Sequence, residues 1–186
     1  MATQGPNLPT AATGNTGIIG GGNIVWGSPT NIELADGTSA TNNLPNASIS
    51  IQISDDLMGT GFGFSIPAGA TINGILLQIN ARQSAVAGQV FENSIVLLKA
   101  GVFVGIDKSV GAALNTALTV MNYGGSSDLW GTTWTPADIN GAGFGAAASY
   151  QNQNMTNART ASVDFFEITV TFTPAATAKS QMFLVI

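Results

Sequence analysis

The chain has 186 residues, only 8% of them charged, a net charge of −5, and neither His nor Cys. That composition excludes Ser-His-Asp and Cys-His nucleophile systems, His- or thiolate-ligated metal sites and a disulfide framework. The five basic residues, Arg82, Lys99, Lys108, Arg159 and Lys179, form no stripe, so the footprint of a nucleic-acid binder is missing. No apolar run reaches the roughly 18 residues of a membrane span.

Residues 1–23 contain Pro6, Pro9 and six glycines with no periodic pattern. They read as an extended arm lying over a neighbouring subunit. The opening MATQGPNLPT lacks the charged and apolar regions of a signal peptide. The domain is expected to begin at residue 24, with Trp26 followed by a turn at Gly27-Ser28-Pro29. Ile49, Ile51 and Ile53 alternate with polar residues and predict a strand with one buried face. Asp55-Asp56 reads as a solvated turn, with a calcium ligand as the lesser alternative since the ligand spacing of a dedicated calcium loop is absent.

The stretch 61–79 reads as a hairpin at the centre of the domain. Phe62, Phe64 and Ile66 alternate with Gly61, Gly63 and Ser65, Pro67-Ala68-Gly69 turns, and Ile75, Leu77 and Ile79 line one face. A second hairpin is expected at about 91–99 and 102–106, around Ala100-Gly101, and a short strand at 118–121. Thr135-Pro136-Ala137-Asp138 has the form of a capping box with Pro at the first helical position, so one helical turn should end near Asn140-Gly141. A strand follows at 143–150. The last long strand is expected over 161–173, with Phe166, Ile168, Val170 and Phe172 inward and Pro174 stopping it. Residues 175–186 form a tail ending in Phe183, Leu184, Val185 and Ile186. Such an end needs burial against the chain or a partner, so these four are expected intersubunit contacts.

The fold class is therefore all-β: an antiparallel sandwich, jelly-roll-like, of about eight or nine strands, with the domain at 24–174, an arm at 1–23 and a tail at 175–186. Of the acids in the fold region, Asp55, Asp56, Glu92, Asp128, Asp138, Asp164 and Glu167, none sits in a catalytic motif. Asp138 is read as a cap, and Asp164 as a strand-edge charge or a partner of Arg159. The glycine clusters at 20–22 and 59–63 lack the Lys-Ser/Thr of a phosphate loop. No enzyme activity and no cofactor are expected. Trp130 and Trp134, with Tyr123 nearby, could form a stacking platform for a sugar. Alternatively they pack the sandwich edge with their N–H groups bonded to backbone.

Trp26, GFGFSIPAGATINGI at 61–75, YGGSSDLWGTTWTPADINGAGFG at 123–145 and ASVDFFEITVTF at 161–172 together resemble a β-sandwich domain of structural proteins in tailed phages and prophages. The resemblance covers roughly residues 24–173. It implies a place in the virion and carries over no catalytic residue. On it rests the expectation of a capsid decoration or cement protein, binding the major capsid protein or other virion proteins through its two ends. A closed homo-oligomer is expected, and a trimer would match the three-fold positions of an icosahedral shell. The alternative is a head- or tail-fibre module that holds a host glycan through Trp130, Trp134 or Tyr123.

Overall fold

The computed structural model describes residues 1–15, 22–86 and 88–176. Phe183, Leu184, Val185 and Ile186, expected as subunit contacts, lie outside these residues. The described chain is nearly all β, with two antiparallel sheets packed as a sandwich. The strands are β1 (Ala2–Asn7), β2 (Ala11–Asn15), β3 (Ala40–Leu44), β4 (Gln52–Ile53), β5 (Asp56–Thr60), β6 (Thr71–Gln83), β7 (Val90–Lys99), β8 (Val102–Val104), β9 (Thr119–Gly124), β10 (Gly145–Asn152) and β11 (Arg159–Thr173). A 3-10 turn spans Pro29–Glu33 and one short helix, α1, spans Pro136–Asn140. The helix carries the expected capping box between Thr135 and Asp138.

One sheet runs β1-β11-β6-β9, with β3 sharing the outer edge of β11. The other runs β2-β5-β10-β7-β8, with β4 beside β10. The long β6–β11 ladder, from Ala161↔Gln83 to Thr173↔Thr71, places Phe166, Ile168, Val170, Ile75, Leu77 and Ile79 in the buried interior. This is the alternation the sequence predicts, and the apolar face supplies the main stabilisation.

Three differences from expectation shape the molecule. First, residues 2–7 and 11–15 are strands of this domain's own sheets rather than an arm over a neighbour. β1 pairs with β11 and β2 pairs with β5, so the start of the chain staples the two sheets together. Backbone ladder bonds need no particular side chain, which is why a Gly- and Pro-containing stretch can be a strand at a sheet edge.

Second, 61–79 is not a hairpin. β5 and β6 belong to different sheets, and residues 61–70 carry the chain between them. Gly61 and Gly63 have φ of 72° and 67°, which takes the backbone out of any ladder. Phe62, Phe64 and Ile66 still point inward and close that end of the core against Phe144. The chain's start holds the crossover in place: Asn7 Nδ2 donates to Phe62 O at 2.8 Å, Thr10 Oγ1 to Gly61 O at 2.8 Å, and Gln4 bonds Ser65 in both directions.

Third, two acidic sites are buried. Asp55 and Asp56 are not a solvated turn; they are 3% and 0% exposed where the chain enters β5. Asp164 is neither an edge charge nor a partner of Arg159. It falls at a register shift in β11, is buried, and accepts from Gly37 N at 2.7 Å and Asn80 Nδ2 at 3.0 Å.

Candidate functional site

Of the two readings of Trp130 and Trp134, stacking platform or packed edge with the N–H groups bonded to backbone, the structure shows the second. Trp130 is 0% exposed and its Nε1 donates to Ile75 O at 3.0 Å. Trp134 is buried as well, its Nε1 donating to Leu129 O at 3.0 Å and its ring meeting Phe144 edge-on at 5.4 Å. Lys99, bridged to Asp138 at 3.1 Å, lies 5.0 Å from the Trp134 ring centroid and helps cover it. A ring satisfied at its N–H and packed on its faces has nothing left to offer a sugar.

Tyr123 is buried too, but it borders a cleft of about 360 Å³ between β9 and residues 108–112, lined in part by Glu92, Val110, Met121 and Asn122. Its hydroxyl donates to Glu92 Oε1 at 2.6 Å. The other oxygen of Glu92 accepts from Val110 N at 2.9 Å and Ala112 N at 3.3 Å. Burial pushes the Tyr123 phenol well above its ordinary range, with neighbouring Tyr150 and the bond to Glu92 adding to it. Glu92 is thus fastened by three donors and serves as a tie for the 108–112 segment rather than as a free base. Lys108 is committed to Asp128 at 2.7 Å, and that bond holds the Asp128 carboxyl below the usual carboxylate range. Among the described residues, no three His, Cys, Asp or Glu side chains gather around a possible metal ion.

The surface that stands out is at the opposite end from the 61–70 crossover. Three segments meet there: 45–51, 84–86 and 153–158. They are bonded to one another at their bases. Ala47 N donates to Asn154 O at 2.7 Å, Gln153 N to Gln89 O at 3.1 Å and Ser84 N to Thr160 O at 2.9 Å. The buried Asn152 amide donates to Pro45 O at 2.7 Å and Asn157 O at 3.1 Å, and Arg159 Nε donates to Gln89 Oε1. From this polar base apolar side chains face solvent: Ile49 is 98% exposed, Ile51 52%, Val86 63% and Met155 64%. None of the three loops carries a charged residue.

This corrects the reading of 48–53 as a strand with a buried face. Only Gln52 and Ile53 pair, with Asn152 and Gln151, because β10 ends at Asn152 and leaves no backbone for residues 48–51 to bond. The alternation of Ile49 and Ile51 is visible in the sequence; their exposure is not, because it depends on where a strand about 100 residues later stops. Val86 stands between two alanines and Met155 is a single apolar residue among polar ones, so neither carries a periodic signal.

No protein-family model matches the chain. No curated protein matches it either. Among solved structures it is similar to a chain from work on CBM4 structure and function, at 14% identity and a TM-score of 0.42, covering 84% of this chain and 91% of that one. It is also similar to TmCBM61, solved in complex with β-1,4-galactotriose, at 11% identity and a TM-score of 0.41, covering 85% and 86%. At these values neither neighbour speaks to what this chain binds.

Proposed function

We propose that the chain is a structural subunit of a tailed-phage particle, a capsid decoration protein bound to the major capsid protein or to other virion proteins, and that its uncharged loop end is the contact. The observation that carries this reading is the display of Ile49, Ile51, Val86 and Met155 on a hydrogen-bonded base. Exposed apolar residues on loops that carry no charged side chain and are tied at their bases, Arg159 standing in the base, suit the core of a protein interface, where charged groups are depleted. The resemblance of 61–75, 123–145 and 161–172 to phage structural domains supports the particle as the setting. A surface with few charges is a solubility risk for a free monomer and less of one for a subunit largely covered by others. A trimer on three-fold positions is the oligomer this reading expects.

The expected route through the N-terminal arm is replaced: residues 2–7 and 11–15 are engaged within their own domain, so the contact is assigned to the loop end. A glycan-binding fibre module would have to use a surface other than Trp130, Trp134 and Tyr123, which are core residues here. Microscopy of virions carrying a labelled form of this protein tests the reading. Label distributed over the outer shell is the expected result. Label confined to fibre tips, or absent from purified particles, would overturn it.

A further inference from the structure

We infer that the cleft beside β9 receives residues 181–186 of a second copy of the chain, added as one more strand at the open edge of its sheet. This goes beyond the function proposed above, since it concerns contact between copies and not the particle they sit on. β9 ends its sheet, pairing with β6 and with no other described strand. Gly125 N donates to Ile75 O at 3.0 Å, one step beyond the Leu76↔Gly124 pair. Antiparallel ladder bonds fall at every second pair. Tyr123 and Met121 are therefore the residues bonded to Leu77 and Ile79, and the N–H and C=O groups of Val120 and Asn122 point away from β6. Among the described residues, none of these outward groups has a backbone partner. Open edges are normally guarded by Lys, Pro or a bulge. β9 has no charged residue, no Pro and an unbroken register. The cleft of about 360 Å³ runs along this edge, with Met121 to Gly124 on one wall and Val110 and Ala112 on the other. A strand paired to β9 would lay every second side chain over Met121 and Tyr123 and against Val110, which is 84% exposed.

Residues 181–186 lie beyond the described chain, and their sequence, QMFLVI, suits that place. The segment matches the six residues of β9 and carries no charge. Apolar residues occupy both alternating sets, Phe183 with Val185 and Met182 with Leu184 and Ile186, so either register presents apolar side chains to the cleft. The β9 of the same chain is out of reach. The described chain stops at residue 176, just past β11, with Ala175 beside Gly69 ahead of β6. A strand outside β9 lies three strand spacings from β11, about 14 Å, and Gly124 is level with Leu76, about 17 Å along β6 from Thr71. The diagonal is about 22 Å before the extra distance back to Gly69 is added. From residue 176 to residue 181 the chain extends at most about 18 Å. The segment that fits this edge therefore comes from a neighbouring copy.

Sedimentation equilibrium of the full-length protein should show concentration-dependent association. Asn122→Pro removes an N–H that β6 does not use, and Pro is tolerated where the N–H of an edge strand faces solvent. It should weaken association at least tenfold while the Tm stays within a few degrees of wild type. A double variant, Leu184→Asp with Val185→Asp, changes only residues outside the described strands and should weaken association as much. The chain has no Cys, so Asn122→Cys and Leu184→Cys proteins can be mixed and treated with a short bismaleimide, which should join one variant to the other. Wild-type protein that stays monomeric would overturn the inference. So would folded Asn122→Pro protein that associates like wild type, or a mixture in which the two variants are not joined. Should Asn122→Pro fail to fold, wild-type association by the double Asp variant decides against it equally.

Discussion

Residues 49–53 and 62–66 have the same pattern, an apolar residue at every second position, and opposite fates. Phe62, Phe64 and Ile66 are buried, while Ile49 and Ile51 stand in solvent. Neither stretch is a regular strand over its full length. What separates them is what the rest of the chain puts beside them. The crossover at 61–70 has a floor, the aromatic cluster of Phe144 and Trp134, and a clamp from Gln4, Asn7 and Thr10. Residues 48–51 lie past the end of β10 and have neither. Alternation says which side chains share a face; it does not say whether anything covers that face.

The largest effect is expected at the chain's start. Deleting residues 1–15 removes a strand from each sheet and the clamp on the crossover, and should abolish cooperative unfolding by circular dichroism. A truncated protein that still unfolds cooperatively near the wild-type Tm would return these residues to the status of an arm. Phe64→Ala should cost about 3–5 kcal/mol in denaturant unfolding, the range for a large aromatic removed from a packed core. Asn152→Ala leaves Pro45 O and Asn157 O without their donor and should cost about 1–3 kcal/mol. Its further signature is faster amide exchange in 45–51 and 153–158, with the crossover unaffected. Gly61→Ala places a Cβ 2.6 Å from Thr10 Oγ1 at positive φ and should cost about 1–2 kcal/mol. Ile49→Ser and Ile51→Ser should each change stability by no more than about 0.5 kcal/mol, as surface substitutions do.

Much of the fold is legible in the sequence, for reasons the two stretches make plain. β6 and β11 are long enough that alternation and burial agree over most of their length, β7 shows as a continuous apolar run at Ile95–Leu98, and the capping box at Thr135–Asp138 is a local signal that needs no tertiary context. The N-terminal strands are hidden because their pairing is through backbone, and side-chain pattern carries none of it. Gly61 and Gly63 mark a departure from strand geometry, yet only the pairing of β5 and β6 into different sheets shows a crossover instead of a hairpin. Asp55-Asp56 reads as a turn because charge usually means solvent; its burial comes from β3 and residues 22–27 folding over it. For the site, the sequence singles out Trp130, Trp134 and Tyr123 by residue type, and each proves to be core. The loop end is assembled from three segments far apart in the chain, and no one of them announces it.

Whether the loop end makes the subunit contact is best tested by joining the two halves of the comparison in one protein. A variant carrying Ile49→Ser, Ile51→Ser and Met155→Ser should match the wild-type Tm to within a few degrees, and should then be assayed for cosedimentation with phage particles lacking the native protein. The expected result is a folded variant whose occupancy on particles falls at least tenfold. Wild-type occupancy by the folded variant would contradict it.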